Sequence, residues 1–422
     1  MGMSKGLLII LDGLGDRPVP ALGWQTPLGA ARAPNFDRLA MAGITGLIHP
    51  LAPGVPVGTQ VGVGLLFGVA RADLPGLSRG PIEAAGVGMV LRDGDVTFRC
   101  NFATLHPNGD GFAIIDRRAG RISCGADELA EALSGMDLGD GVSTRFCAST
   151  QHRGVLLLRG EGLSDAVTDT DPGAGHCDDG LLVCRARMST DSLATRTAGL
   201  VNAFLRRSNE VLSDHPVNVR REQNGLLPAN GILTRGSGRI APLRNLIKHL
   251  GLRTAVIAEE GTILGLGRLF GFDVLNEPGF TALPDTDLDA MVAATGQAIK
   301  DHDLVFLHIK GSDTLAHDRN PAGKKAFIEK IDAALAPLLD GDLVIGITGD
   351  HTTDSNVGRH TGDPVPALLH APLGRLDSVA AFSESACMSG GLGHISSTAF
   401  LCTLLDHMDA MHNHRAYEYI YY

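Results

Sequence analysis

Three apolar runs of strand length each lead into a carboxylate, and this repeated placement is the chemistry-bearing pattern of the chain. Gly6–Leu11 (GLLIIL) runs into Asp12-Gly13. Leu304–Ile309 (LVFLHI) runs into Lys310-Gly311-Ser312-Asp313, with His317 four residues beyond the aspartate. Leu343–Thr348 (LVIGIT) runs into Gly349-Asp350-His351, and His360 follows in GRHTGDPVP. Continuous apolar runs mark strands buried on both faces of a parallel sheet. Ligands of such sheets sit just beyond the carboxyl ends of the strands. The pattern therefore gathers Asp12, Asp313, His317, Asp350 and His351 on one edge, with His360 as a further donor. Carboxylate oxygens mixed with imidazoles suit Mn²⁺ or Zn²⁺. The groups suffice for two ions that share a nucleophile or a substrate. Each also has a plain reading: Asp12-Gly13 as a turn, Asp350-His351 as a turn or cap, Asp313 and His317 as an i,i+4 surface pair.

Two ions that clamp attacking and leaving oxygens need a nucleophile between them. The best candidate is Thr59, in PGVPVGTQVGVGLLFG. Pro53, Gly54, Pro56 and Gly58 make a turn, and Thr59 opens a small-residue run that reads as a helix. A hydroxyl there meets oriented N–H groups that favour alkoxide and phosphate charge. Without the acidic cluster, Thr59 would read as an N-cap.

These residues come from both ends of the chain, so the core must be interrupted by an insertion. The expected fold is α/β: a mostly parallel sheet flanked by helices, built from residues 1–70 and 215–422, with a smaller α/β cap at 71–214. TAVIAEE (254–260) reads as another core strand, preceded by a helix that ends over 243–250. In the insertion, DGDVTFRCNFATL and GVLLLRG read as strands, and 127–136 as an amphipathic helix. DTDPGAGHCDDG reads as an exposed loop. The four tyrosines of HRAYEYIYY suit packing of a terminus or an interface. There is no internal repeat.

Composition bounds the function. With 422 residues, 44% of them hydrophobic and 20% charged, the chain can bury a large core in about two or three domains. The 54 glycines have no three-residue period, which excludes collagen and implies many tight turns. A net charge of −11 disfavours nucleic acid and acidic membranes as partners. Aromatic residues, at 5%, are too few for base-stacking platforms. The seven cysteines include no Cys-x-x-Cys pair and suit a reducing, cytoplasmic setting. The first residues, MGMSKGLLIILDG, lack the features of a signal peptide. No apolar run approaches the roughly 18 residues of a membrane span. A small anion held by a local arginine pocket remains compatible with this charge, and a homo-oligomer is left open.

In order, DG, a PG-[ST] nucleophile loop, D-x-x-x-H, GDH and H-[ST]-x-DPVP resemble the alkaline phosphatase superfamily. More narrowly they resemble the archaeal-type, cofactor-independent phosphoglycerate mutases. Longer blocks extend the resemblance along the chain: TPLGAARAPNFDRLA (26–40), RGPIEAAGVG (79–88), DVTFRCNFAT (95–104), IDRRAGRI (115–122), HRGVLLLRGEGLSDAVTDTDP (152–172), DHPVN (214–218) and PANGILTRG (228–236). The resemblance implies an alkaline-phosphatase-like core that interconverts 3-phosphoglycerate and 2-phosphoglycerate without 2,3-bisphosphoglycerate. It implies one ion on Asp313, His317 and His360, and a second on Asp12, Asp350 and His351 beside the Thr59 oxygen. Mn²⁺ is the first choice, then Zn²⁺, Co²⁺ or Mg²⁺. The family's reaction is ping-pong: the nucleophile takes the phosphoryl group, and the bound glycerate takes it back on its other hydroxyl. The substrate, a small phosphorylated carboxylate, needs a clamp, and arginine's planar fork supplies one. Arg117, Arg118 and Arg121 lie within Asp116–Arg121, and Arg79, Arg153 and Arg235 lie in other family-like blocks. Asp169 and Asp171 suit proton transfer or arginine orientation.

The chain departs from the family pattern around its nucleophile. Thr59 replaces the usual serine, Gln60 a carboxylate and Val63 an imidazole. Gly173 stands where TDTDP is often followed by histidine, and the Gly311–His317 loop is less acidic than usual. These changes motivate an alternative, a diverged phosphatase, phosphonate hydrolase or other phosphotransferase. A metal-binding homologue without turnover is a third reading, opposed by the full donor set and the surviving hydroxyl.

Overall fold

The computed structural model describes residues 3–109, 111–122, 124–139, 141–173 and 180–411. It divides into two compact units, one formed by Met1–Pro75 with Leu243–Tyr422 and the other by Gly76–Pro242.

The first unit is built on an eight-stranded sheet. Across it run the strands Gly393–Ser396, Ile44–His49, Val365–His370, Val344–Thr348, Gly6–Leu11, Leu304–Ile309, Thr254–Ile257 and Asp273–Leu275. Val365–His370 is antiparallel to both its neighbours; every other pairing is parallel. The centre is formed by the three apolar runs: Gly6–Leu11 lies between Leu304–Ile309 and Val344–Thr348. All six residues of Gly6–Leu11 and of Leu304–Ile309 are buried, as strands covered on both faces must be. One face presents Leu7, Ile9, Leu11, Val305, Leu307, Ile345 and Ile347. These pack with Phe36, Met291, Phe327, Ile328 and Ile331 from the helices Pro34–Met41, Leu288–Asp301 and Pro321–Leu335. On the other face, the Phe306 ring lies 4.5 Å from Phe67 and 6.0 Å from Phe272. Because the central strands are parallel and in register, Asp12, Lys310 and Gly349-Asp350 leave the sheet at the same edge.

The second unit has a five-stranded antiparallel sheet. Its spine is the 13-residue strand Val96–Asn108, which pairs with Arg153–Arg159, with Gly231–Gly238 and, at its far end, with Gly111–Asp116. Ser143–Ala148 pairs with Arg153–Arg159. The helices Ala126–Leu133 and Ser192–Ser213 contribute Leu129, Leu133, Val201, Phe204 and Leu205 to its core, against Phe98, Phe102, Phe146 and Leu156.

The insertion is longer than the expected 71–214, and its second boundary lies after Pro242. Two features carry the chain past 214. Asn218, fully buried in the helix Pro216–Gln223, donates to the carbonyls of Leu212 and Ala229. The strand Gly231–Gly238 then pairs with Val96–Asn108 from Thr97 to Ala103. The last six residues of the proposed exposed loop at 169–180 that precede Gly180, and the C-terminal tyrosines, lie outside the described residues. No helix among the described residues is long and apolar enough to cross a membrane.

Candidate active site

Asp12 continues the Gly6–Leu11 strand by donating its N–H to the carbonyl of Ile309 on the neighbouring strand. Gly13 then turns with φ +61°, a left-handed conformation glycine adopts freely. A side chain there would collide with Asp313 and Thr353, and the Gly13 N–H donates to Asp350 Oδ1 at 3.1 Å. The helix Thr59–Leu66 passes so close to the Asp350 turn that a Cβ at Gly62 would lie 2.2 Å from the Asp350 carbonyl oxygen. That approach brings Thr59 to the site. The helix N-cap is Gly58, with no side-chain cap, so the Thr59 hydroxyl is not an N-cap. It lies 3.2 Å from His351 Nε2.

The structure brings all seven expected residues together. Asp12, Asp350 and His351 are fully buried, and Asp313 nearly so. His351 Nε2 is 3.3 Å from Asp12 Oδ1 and 3.2 Å from Asp350 Oδ2. Asp313 Oδ1 is 3.4 Å from His317 Nε2 and 3.6 Å from His360 Nε2, and those two nitrogens are 3.0 Å apart. Two sets of donor atoms have the spacing of ion sites: Asp12, Asp350 and His351, and Asp313, His351 and His360.

The hydrogens on two imidazoles can be assigned from their partners. His317 Nδ1 lies 2.9 Å from the Gly358 carbonyl, and His360 Nδ1 lies 2.9 Å from the Val57 carbonyl. A carbonyl only accepts, so Nδ1 is the donor in each neutral ring and Nε2 keeps its lone pair. Two such lone pairs face each other and the Asp313 carboxylate. The Asp12 Oδ1 and Asp350 Oδ2 oxygens are buried without a hydrogen-bond partner. Convergent lone pairs and orphaned carboxylate oxygens are satisfied by divalent cations, so the donor set fits two ions.

Sequence reasoning missed Lys310. Its ammonium lies 2.9 Å from Asp12 Oδ2, 2.7 Å from Asp313 Oδ2, 3.6 Å from Glu260 Oε2 and 3.5 Å from Thr59 Oγ1. Burial works against its charge, but the carboxylates of Asp12, Glu260 and Asp313 outweigh this and hold its pKa well above the usual lysine value. The signal was present: Lys310 directly follows a central strand, as Asp12 does. Burial likewise opposes the Asp12 charge, yet Lys310 above all keeps its pKa well below the carboxylate range. Asp350 moves the other way, raised by burial and by the neighbouring Asp12. Burial holds His351 below the ordinary imidazole value.

The second unit has its own charged cluster. Arg99 and Arg235 are direct cross-strand partners, Arg153 opens the adjoining strand, and Arg79 opens the helix Arg79–Gly86. The Nε atoms of Arg79, Arg99 and Arg235 are buried without hydrogen-bond partners. Burial, with Arg79, Arg153 and Arg235 nearby, pushes the Arg99 pKa down to about 9 against the opposing pull of Glu83, 3.6 Å away. His152 is pushed down to about 4 by burial and by Arg153, Arg118, Arg99 and Arg121. Arg99 and His152 are additions to the expected set. Both sit inside family-like blocks, but an apolar strand hides which way Arg99 points.

The expectation for Arg117 needs correction. Its Nε and Nη2 already form a fork on Asp171, at 2.8 and 2.7 Å, so that edge is not open to a substrate carboxylate. Asp171 thus orients an arginine. Asp169 is exposed and accepts from the Gly236 N–H at 2.9 Å. Arg118 and Arg121 are exposed on a turn, where Asp116 Oδ1 accepts from the N–H groups of Arg118 and Gly120 and Ala119, Gly120 and Arg121 all have positive φ.

The fold and first-unit site define a class: an α/β protein with a carboxylate–imidazole centre at the carboxyl edge of a largely parallel sheet. Comparison with known proteins makes this specific. A profile of the 2,3-bisphosphoglycerate-independent phosphoglycerate mutases matches residues 40–218. An enzyme of that name from Archaeoglobus fulgidus is 43% identical over 406 residues, covering 95% of this chain and 97% of the relative. One from Methanosphaera stadtmanae is 40% identical over 409 residues, covering 96% and 98%. The solved cofactor-independent phosphoglycerate mutase from Thermoplasma acidophilum is 35% identical with a TM-score of 0.69, covering 96% of this chain and 99% of that one. The chain belongs to the family of 2,3-bisphosphoglycerate-independent phosphoglycerate mutases.

Proposed function

We propose that this chain interconverts 3-phosphoglycerate and 2-phosphoglycerate through a phosphoryl group carried transiently on Thr59. One observation carries the reading: the Thr59 hydroxyl, not engaged as a cap, lies against a buried set of carboxylates and imidazoles whose lone pairs converge. Asp12, Asp350 and His351 hold one divalent ion, and Asp313, His317 and His360 the other. Mn²⁺ is the first choice. Bound there, the ions supply Lewis-acid stabilisation of phosphoryl and alkoxide oxygens.

The protein's own groups do the rest. The Lys310 ammonium and the positive N-terminal end of the Thr59–Leu66 helix favour negative charge on the Thr59 oxygen. Thr59 Oγ1 attacks phosphorus, the bond from phosphorus to the glycerate oxygen breaks, and the hydroxyl proton ends on the released glycerate. The other glycerate hydroxyl then attacks phosphorus, the Thr59–phosphorus bond breaks, and Thr59 regains a proton. Atoms and charge balance with no external donor. The arginines of the second unit supply anion recognition. Arg79, Arg99 and Arg235 contribute Nε donors that no protein group satisfies, and Arg117 contributes through its link to Asp171.

Uncharged residues at positions 60 and 63 favour a second reading, hydrolysis, in which water replaces the glycerate acceptor. Val63 is fully buried, so the place of an imidazole is filled by an apolar side chain. Incubating the Mn²⁺-loaded protein with 3-phosphoglycerate, without bisphosphoglycerate, and following ³¹P NMR separates the two. Formation of 2-phosphoglycerate supports the mutase; free phosphate alone supports the hydrolase and overturns it.

A further inference from the structure

We propose that Thr353 is a positioning residue that ties together the donors of both ions and fixes the hydrogen on His351. The inference rests on the two-ion reading above. Thr353 is fully buried. Its Oγ1 lies 2.7 Å from Asp313 Oδ1 and 3.1 Å from His351 Nδ1. A hydroxyl has one hydrogen to give. The carboxylate oxygen can only accept, so that hydrogen goes to Asp313. The other contact must then run in the opposite direction, with His351 Nδ1–H donating to Oγ1. His351 Nε2 is left with its lone pair, and Nε2 is the atom that faces Asp12, Asp350 and Thr59.

One hydroxyl thereby sets two donors at once. It fixes the carboxylate of Asp313, which serves one ion, and the tautomer of His351, whose nitrogen is within reach of both. His317 and His360 differ, because their Nδ1–H groups are held by main-chain carbonyls. Of these three rings, His351 is the one oriented by a side chain.

Thr353 is held from behind. Its N–H donates to the Gly15 carbonyl at 3.0 Å. Its own carbonyl accepts from Lys324 Nζ at 3.3 Å. The fully buried Lys324 ammonium also donates to the Gly15 carbonyl at 3.1 Å and to Asp16 Oδ2 at 2.8 Å. Its three hydrogens thus join the turn after Asp12 to the segment after His351. The β-branched side chain adds stiffness at χ1.

Thr353→Val keeps the shape and removes the hydroxyl. Mn²⁺ affinity and stoichiometry are measured by chelator competition and elemental analysis, with no activity readout. The valine variant should bind both ions about 10–100-fold more weakly, the usual scale for outer-shell partners of metal ligands. Thr353→Ser should stay near wild type. Wild-type affinity in the valine variant, or a loss confined to one ion, overturns the proposal. A wild-type protein that binds no divalent ion overturns the two-ion reading instead. Should the valine variant not fold, long-range ¹⁵N–¹H spectra of the metal-free wild type decide the matter, with His351 assigned by difference from His351→Gln. The proposal expects the hydrogen on Nδ1, and a hydrogen on Nε2 overturns it.

Discussion

Replacing Lys310 with methionine removes an ammonium beside the Thr59 oxygen while keeping most of the side chain's volume. Its contacts predict two separable effects. The first is on rate. The ammonium stands 3.5 Å from Thr59 Oγ1 and can donate to charge that develops there. A hydrogen bond to a charged group is worth about 1.5–3 kcal/mol. At about 1.4 kcal/mol per factor of ten, its loss should lower kcat by roughly 10–150-fold. The second effect is on the metal-free protein. Lys310 neutralises Asp12 and Asp313 at 2.9 and 2.7 Å, and its side chain is 14% exposed. Breaking a buried ion pair from one side costs about 3–5 kcal/mol. At 2–4 °C per kcal/mol for a unit of this size, metal-free Lys310→Met should unfold roughly 6–20 °C lower than wild type. Saturating Mn²⁺ should restore most of that loss, because the cations replace the missing charge. Calorimetry with and without Mn²⁺, and initial rates of isomer formation by ³¹P NMR, measure the two effects. A variant with unchanged kcat and an unchanged metal-free unfolding temperature would refute this reasoning.

Asp350→Asn should lower bound metal and abolish turnover, because Asp350 Oδ2 is a buried oxygen with no protein hydrogen bond; full occupancy by elemental analysis would remove it from the donor set. Arg117→Lys cannot reproduce the fork on Asp171, so it should cost about 1–3 kcal/mol of stability in urea titrations as well as weakening substrate use. A substrate effect without any stability change would place Arg117 on the substrate directly. His152 titrates near 4 in the folded protein and near 6.5 when unfolded, so the unfolded chain binds more protons between those values. Its contribution to stability is therefore present above about pH 6.5 and is lost as the pH falls towards 4. His152→Gln should flatten that part of the urea midpoint–pH curve, and an unaltered curve would exclude His152 as its source.

The proposed metal donors stand out in the sequence because they repeat one placement. Asp12, Asp313 and Asp350 each follow an apolar run, and parallel pairing in register brings such positions to one edge whatever their separation in sequence. Thr59, the proposed nucleophile, stands out by its Pro/Gly turn, and Gly58 takes the capping position in its place. Lys310 shares the same placement but reads as an ordinary turn residue until three carboxylates are seen around it. The second unit was harder to read. Three arginines within Asp116–Arg121 look like a single binding cluster, yet the turn exposes two of them and commits the Arg117 fork to Asp171. Meanwhile Arg99, 136 residues from Arg235 in sequence order, joins it only through cross-strand pairing. The late return to the first unit was hidden for the same reason, since the strand Gly231–Gly238 finds its partner far back in the chain.

The central claim, a phosphoryl group carried on Thr59, is tested most directly by trapping it. Mn²⁺-loaded protein is mixed with ³²P-labelled 3-phosphoglycerate, quenched in acid within a turnover, digested and mapped by mass spectrometry. The account predicts label on the peptide containing Thr59, persistence of label in Thr59→Ser, and its absence from Thr59→Ala, which should still bind two ions. Label on another residue, or near-normal turnover by Thr59→Ala, would contradict it.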